Sequence, residues 1–275
     1  MPEGDTIFRA ARTLHRALSG AQVTQFESRL PQLLALPVRG GVPGREITLV
    51  EARGKHILIT FGPDLILRTH LRMHGSWHLA RPGERWRRPR AHMRIVITTA
   101  DWLAIGFQIP EAEWLTASGL ARHARLQALG PDPLGATFDA EEVIARIASD
   151  PAATLADVLL NQRVIAGVGN VFKSEVLFEC RVHPFDRVRD LEPATIAALV
   201  TASARALRRN VSETTDSPFD RRRMTNRLNP GETLWVYRRA GKACHRCGST
   251  IQMHKSGPDA RSTYWCPTCQ PSRSN

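Results

Sequence analysis

Two cysteine pairs and a proline at position 2 are the residues of this 275-residue chain whose types and spacing most directly suggest chemistry. Cys244 and Cys247 are separated by two residues, Cys266 and Cys269 repeat that spacing, and eighteen residues lie between the pairs. Two such turns deliver four thiolates to one tetrahedral zinc, and four protein ligands leave no open position for catalysis. One structural zinc per chain is expected, because disulfides do not account for two identical turns in a cytoplasmic chain. At the other end, removal of Met1 would make Pro2 a free secondary amine with the Glu3 carboxylate directly after it. An α-amine has a reference pKa of about 8 against about 10.4 for lysine, so far more of it is nucleophilic near neutrality. A secondary amine can attack a sugar aldehyde carbon to give an iminium, which is an electron sink for breaking neighbouring C–O bonds. Met-Pro-Glu also begins many chains without such chemistry, and Glu3 would favour a helix N-terminus through the macrodipole in either case. Gly167 and Gly169 precede a helix opening at Asn170, which exposes backbone N–H groups and a positive dipole end to phosphate. The same pattern describes an ordinary corner between helices. Arg261, Ser262 and Thr263 fall on a hairpin between the cysteine pairs. A metal-stapled hairpin could hold Arg261 rigidly against a phosphate or leave it solvated.

These groups need elements to position them. TIFRAARTLHRAL places Ile7, Ala10, Ala11, Leu14 and Leu18 at helical spacing, with Asp5 or Thr6 available as cap. Short β-rich runs occupy the chain from about 22 to 110: HILITF (56–61), LILRTHL (65–71), GSWHLA (75–80) and MRIVITT (93–99). Strands without intervening helices predict a sandwich or barrel. ALGPDPLGA (128–136) is a break, and the residues beyond it to about 210 read as helix. Asp139 caps one helix through Val143, Ile144 and Ile147, Thr154 caps another over LADVLLNQ, and GVGN separates that from VFKSEVLFEC. Pro193 begins a further helix to 209, and RRRMTNRLNPGET (221–233) is a basic stretch leading to the cysteines. The chain therefore reads as α+β and multidomain: a β-rich part, sandwich or barrel, up to a boundary near 130, then an α-rich part leading to the cysteines.

Charge narrows the partner. Thirty-eight Lys and Arg against twenty-six Asp and Glu give +12, with pI near 10.6, so the surface attracts polyanions such as nucleic acid. Basic clusters at 81–94, 205–209 and 221–227 fit a basic groove, although charge runs are usually solvated faces. At 42% apolar content the chain can bury a core, which excludes intrinsic disorder. Absence of an apolar run of about 18 residues predicts no membrane span, and Glu3 and Asp5 do not suit a secretory signal. A cytoplasmic chain is expected.

The motifs MPEGDT, RGKH (53–56), HLRMHGSW (70–77), LGPDPL (129–134), VIAGVGNVFKSE (164–175), VYRRAGKACHRCG (236–248) and ARSTYWCPTCQ (260–270) are collectively specific. Through them the chain resembles, end to end, the formamidopyrimidine-DNA glycosylase and endonuclease VIII family of bifunctional base-excision repair enzymes. Its opening is most similar to the actinobacterial endonuclease VIII-type branch. The resemblance implies an N-terminal β-sandwich, a helix-two-turn-helix domain and a zinc finger, acting as a bacterial, nucleoid-associated monomer on damaged double-stranded DNA held between the halves. By the same resemblance Pro2 is the nucleophile, Glu3 its acid/base partner, and Lys55 a ligand for phosphate or the departing sugar oxygen. A strand-end lysine could equally extend into solvent. Asn170 and Arg261 match residues that pinch the phosphates flanking the lesion, kinking the duplex so that the damaged nucleotide rotates out. Met73, with Arg72 and His74, matches the loop that fills the vacated space. Relatives specialised for oxidised purines carry an Asp-Pro-Arg-Arg-Phe-Gly loop, and here DWLAIGF (101–107) stands for it without that chemistry. Oxidised pyrimidines are therefore the expected substrates. A catalytically silent module that binds damaged DNA is the alternative, weighed against by the joint presence of Pro2, Glu3 and Lys55. A transcription factor is disfavoured because no helix resembles a recognition helix with a dimerising element. Cys180 matches no motif and is expected to be a buried core thiol.

Overall fold

Ile7, Ala10, Ala11, Leu14 and Leu18, spaced along one face of α1 (Gly4–Leu18), are all buried. A computed structural model describes residues 2–212, 225–226, 233–256 and 260–273. Of the basic stretch 221–233, all but Thr225, Asn226 and Thr233 lies outside the described residues. The chain divides into two compact units, the first ending at Ala128 and the second beginning at Leu129.

In the first unit α1 starts two residues earlier than capping by Asp5 would allow, and three earlier than capping by Thr6. Glu3 is the N-cap residue, with an extended backbone. Asp5 lies inside the first turn, fully buried and paired with Arg9 at 3.5 Å, so it acts through an i,i+4 ion pair rather than as a cap. Eight strands come next: β1 (Gln25–Ser28), β2 (Ile47–Arg53), β3 (His56–Phe61), β4 (Leu65–His70), β5 (Ser76–Ala80), β6 (Met93–Thr98), β7 (Leu103–Phe107) and β8 (Glu111–Leu115). They form two antiparallel sheets, ordered β1-β6-β7-β5 and β2-β3-β4-β8. Alternation explains the shared core. Ile57, Ile59, Phe61, Leu65 and Leu67 of one sheet join Trp77, Ile95, Ile97 and Ala104 of the other, together with the apolar face of α1. On the opposite face of β6 and β7, Val96, Ile105 and Phe107 form a second, smaller cluster with Ala80 and Met93. Two short helices, α2 (Ala117–Ala121) and α3 (Ala124–Gln127), close the unit.

The second unit is helical at first. The Asp139 side chain accepts from Glu142 N–H at 2.9 Å to open α4 (Ala140–Ala148), and Thr154 accepts from Asp157 N–H at 3.2 Å to open α5 (Leu155–Leu160). Gly167, at φ +84°, turns the chain into α6 (Asn170–Glu179), and α7 (Pro193–Ser212) packs beside it. Pro193 opens α7 because a missing N–H costs nothing at a helix start. The antiparallel hairpin of β9 (Gln252–Ser256) and β10 (Arg261–Trp265) completes the unit.

Leu14 is fully buried where α1 meets the sheet, and α1 carries Glu3 at its N-terminus. Leu14→Ala should lower stability by about 2–5 kcal/mol, the cost of lost burial plus a residual cavity, read from the urea midpoint. An unchanged midpoint would mean that α1 is not packed as described.

Candidate functional site

Pro2 is half-buried at the mouth of α1, and Glu3 beside it is completely buried, its carbonyl accepting from Ile7 N–H at 3.0 Å. Lys55 occupies the tight turn between β2 and β3, where Gly54 takes φ +57°. The three candidate wedge residues lie on the turn between β4 and β5. Gly75 closes that turn by donating its N–H to the Leu71 carbonyl at 2.9 Å. A Cβ at position 75 would sit 2.5 Å from the same oxygen, so only glycine permits this closure. Met73 is about half exposed at 51%, and His74 is exposed. Arg72 behaves differently. It takes φ +47°, its N–H donates to His70 Nδ1 at 3.2 Å, and its guanidinium pairs with Glu111 on β8. The structure therefore separates Arg72, tethered to the sheet, from Met73 and His74, which project.

DWLAIGF is not a loop. Leu103–Phe107 is β7, an interior strand hydrogen-bonded on both sides, with Ala104, Ile105 and Phe107 buried. Its alternating apolar residues fill both faces of the sheet, and the connection to β8 is the three-residue Gln108–Pro110 after it. Ile109 within it is fully buried.

In the second unit α6 is buried on every side, polar residues included: Asn170, Lys173, Ser174 and Glu175 are all inside. Asn170 Nδ2 donates to the Ser262 carbonyl at 2.6 Å, and Lys173 Nζ donates to Asn170 Oδ1 at 2.6 Å and Thr263 Oγ1 at 2.7 Å. The start of α6 is thus joined to β10 immediately after Arg261, which is half-buried at the strand's first position. Asn170 and Arg261 are brought together, with the Asn170 side chain engaged by the hairpin. The Glu175 carboxylate accepts backbone N–H groups from Trp235, Val236 and Tyr237 at 2.8–2.9 Å and the Thr225 hydroxyl. Lys173 and Glu175 are site residues that the sequence motifs do not single out. Their signal is two opposite charges two positions apart, flanked by the apolar Val171, Phe172, Val176, Leu177 and Phe178.

The four cysteine sulfurs lie within 4.8 Å of one another, with Cys247–Cys266 at 3.4 Å and Cys244–Cys269 at 3.9 Å. A tetrahedral metal with bonds of about 2.3 Å to sulfur needs S–S edges of about 3.8 Å, so the four thiols fit such a centre. The Arg246 N–H points at Cys244 Sγ at 3.4 Å, as it would toward a thiolate. Cys180, at the end of α6, is half-buried rather than buried, and burial pushes its thiol up to about 11.

Behind the wedge turn, polar contacts tie β3, β4 and β8 together. Arg68 pairs with Glu113, Glu113 meets His123 at 3.0 Å, and Arg68 contacts His56 Nδ1 at 2.8 Å. Burial, then the neighbouring His70 and Arg68, pushes His56 down to about 2. Burial lowers His70 to about 4 against the opposing pull of Glu111, with Arg72, Arg68 and Lys55 adding to the lowering. Both rings are neutral near pH 7. Because their folded values lie below the ordinary 6.5, the unfolded chain binds more protons as pH falls, and stability is lost from about pH 6.5 downward. The urea midpoint should drop between about pH 7 and pH 4, and His56→Gln should make that drop shallower. A His56→Gln slope equal to the parent's would show that His56 does not contribute.

Comparison with known proteins places these features in one family. Residues 1–108 match the formamidopyrimidine-DNA glycosylase N-terminal domain, 129–219 its H2TH domain, and 241–271 the zinc finger found in FPG and IleRS. A Streptomyces coelicolor protein described as probable endonuclease 8 2 is 39% identical, over 98% of this chain and 94% of its own. The Mycolicibacterium smegmatis DNA-(apurinic or apyrimidinic site) lyase Nei2 is 37% identical, over 98% of this chain and 99% of its own. Among solved structures, Lactococcus lactis Fpg in complex with a DNA containing N7-benzyl-Fapy-dG aligns with TM-score 0.82 at 23% identity, over 98% of this chain and all of that one. With full-length identity of this order, and with both units and the cysteine hairpin matched in sequence order, the chain belongs to the formamidopyrimidine-DNA glycosylase and endonuclease VIII family.

Proposed function

We propose that this protein is a bifunctional DNA glycosylase and apurinic/apyrimidinic lyase of base-excision repair, with oxidised pyrimidines as preferred substrates. The observation that carries the reading is Pro2 at the start of α1 with a completely buried Glu3 beside it. A carboxyl group that is withdrawn from water next to a secondary amine is suited to moving protons at that amine. After loss of Met1, the Pro2 nitrogen attacks C1′ of the extruded nucleotide and the base departs with the electrons of the glycosidic bond. Glu3 assists opening of the sugar ring, and the nitrogen lone pair then forms the iminium. Loss of a C2′ proton expels the 3′ phosphate (β-elimination), and a second elimination expels the 5′ phosphate. Lys55 supplies a compact positive charge for a phosphate or the sugar oxygen.

In the second unit Asn170, at the start of α6, and the Arg261 guanidinium are proposed to hold phosphates flanking the lesion. The Asn170 side chain serves this by fixing the hairpin through Ser262. Cys244, Cys247, Cys266 and Cys269 would hold one structural zinc. Bound there, zinc supplies folding energy and no reacting position. In functional terms the divisions are 1–128 for catalysis, 129–232 for helical DNA binding and 233–275 for the zinc finger. The relatives' names support the activity: one is described as a probable endonuclease 8 and another as a DNA-(apurinic or apyrimidinic site) lyase. Among the described residues no helix is long and apolar enough to cross a membrane. The enzyme is proposed to work on DNA as a monomer in the bacterial cytoplasm.

Borohydride trapping on a duplex containing an abasic site tests the mechanism. The adduct should map to Pro2, and a form retaining Met1 should lose it while still binding DNA. Undiminished trapping with Met1 in place would exclude Pro2, and DNA binding without any trapping in the mature protein would leave a silent binding module.

Pyrimidine preference rests on the wedge. The β7–β8 connection, Gln108–Pro110, offers no arginine or phenylalanine to fill the space left by a flipped base, so Met73 and His74 must do so. Dihydrouracil should be released faster than 8-oxoguanine paired with cytosine in single-turnover assays. Met73→Ala should slow excision from duplex about tenfold or more and from single strands far less, since no stack has to be held open there. Faster release of 8-oxoguanine would overturn the preference.

A further inference from the structure

The segment joining β5 to β6 begins RPGERWRRPR (81–90), with five arginines against one glutamate in ten residues. It is not a loose loop. The Trp86 ring lies edge-on to Phe107 at 6.0 Å and packs on the outer cluster of Ala80, Met93, Val96, Ile105 and Phe107. The chain leaves the sheet at Ala80, paired with Leu103, and returns at Met93, paired with Phe107. Leu103 and Phe107 are opposite ends of β7, so the segment runs back along the whole strand as a strap. Four strand steps of about 3.4 Å give it a reach of about 14 Å. Its arginines are held by specific contacts. Arg90 stacks over Trp86 at 4.6 Å, Arg81 over Trp102 at 3.7 Å, and Arg88 donates to Gln108 Oε1 at 3.2 Å. Arg85 and Arg87 are exposed between them. Glu84 accepts from the Arg81 N–H at 2.7 Å, closing the turn at the strap's start. The strap's returning end, at Met93 and Phe107, is also where β5 begins, one residue after Gly75 of the wedge turn.

We propose that this arginine strap is a second phosphate-binding surface. It takes the sugar-phosphate backbone of the duplex beside the lesion, over about four base pairs leading away from the wedge. The identity of the polyanion as DNA rests on the function proposed above. Two features favour a nucleic-acid backbone over an acidic protein. Trp86 faces inward onto Phe107, so the strap presents charge without the apolar anchor at the centre of a protein interface. Stacked guanidiniums are also pre-organised, which lowers the ordering cost of binding a regularly charged strand.

The test uses the full chain and a fluorescent duplex carrying a tetrahydrofuran abasic analogue, with one arm lengthened stepwise on each side in turn. The parent should gain affinity as one arm grows through about four base pairs, and Arg85→Gln/Arg87→Gln should lose at least about threefold of that gain. Its plot of log affinity against log salt should flatten by about 1–2, as two phosphate contacts predict. Circular dichroism melting of the variant beside the parent verifies that both are folded. A variant with parental arm-length dependence and salt slope overturns the strap. So does an equal loss at every arm length, which marks a general charge effect, and so does strap-dependent binding of polyglutamate in place of DNA. If the parent traps abasic DNA with borohydride but shows no arm-length gain, the strap fails and the proposed activity stands. If the parent binds no DNA, both fail.

Discussion

The buried carboxylate of Glu175 is the constraint around which the second unit is organised. Three consecutive backbone N–H groups and a hydroxyl converge on it from the segment that leads into the cysteine hairpin. Burial pushes this carboxyl up, while its four donors favour the charged form. Stripping those donors would leave a desolvated carboxylate without partners, a cost of several kcal/mol. The segment over Trp235–Tyr237 is therefore fixed in register against α6. Fixing it sets where the first cysteine pair begins, and Phe178, Val236, Cys244, Ile251 and Cys266 close a small core around it.

The same helix fixes the other end of the hairpin. Lys173 and Asn170 grip Ser262 and Thr263, while Gln270 bridges from Cys266 N–H to the Val182 carbonyl. Arg261 thus sits on a strand tied at its start to α6 and at its end, through Gln270, to Val182 just beyond that helix. A guanidinium on such a support has less freedom to lose on meeting a phosphate than one on a flexible loop. On the proposed reading, a metal held by the four cysteines and the burial of α6 would serve one purpose, the rigid presentation of Arg261 beside the start of α6.

The first unit solves a different problem, presenting an exposed apolar tip from a stable base. Gly75 allows the turn to close, Glu111 and His70 hold Arg72, and the Arg68–Glu113–His123 chain stiffens the strands beneath. Met73 can remain exposed because its neighbours are anchored. The neutral state of His56 and His70 matters here, since two protonated rings with centroids 4.8 Å apart beside Arg68 and Arg72 would repel.

Local spacing made much of this molecule legible. The helical period of Ile7 to Leu18, the caps Asp139 and Thr154, the Gly167 turn and the cysteine spacing each act over a few residues, so the backbone preferences they express are readable from sequence. Family motifs extended that reading to Pro2, Glu3 and the wedge turn. Tertiary structure decided the rest. DWLAIGF reads as a loop by motif correspondence, but cross-strand pairing with β5 and β6 makes it an interior strand. Arg72 and Glu111 are thirty-nine residues apart and meet only because β4 and β8 are neighbours. Lys173 and Glu175 lie on different sides of α6 and are buried only because β10 meets one and the Trp235–Tyr237 segment meets the other. In each case the deciding partner is distant in sequence, and the energy of pairing or desolvation exists only once the chain has brought the two together.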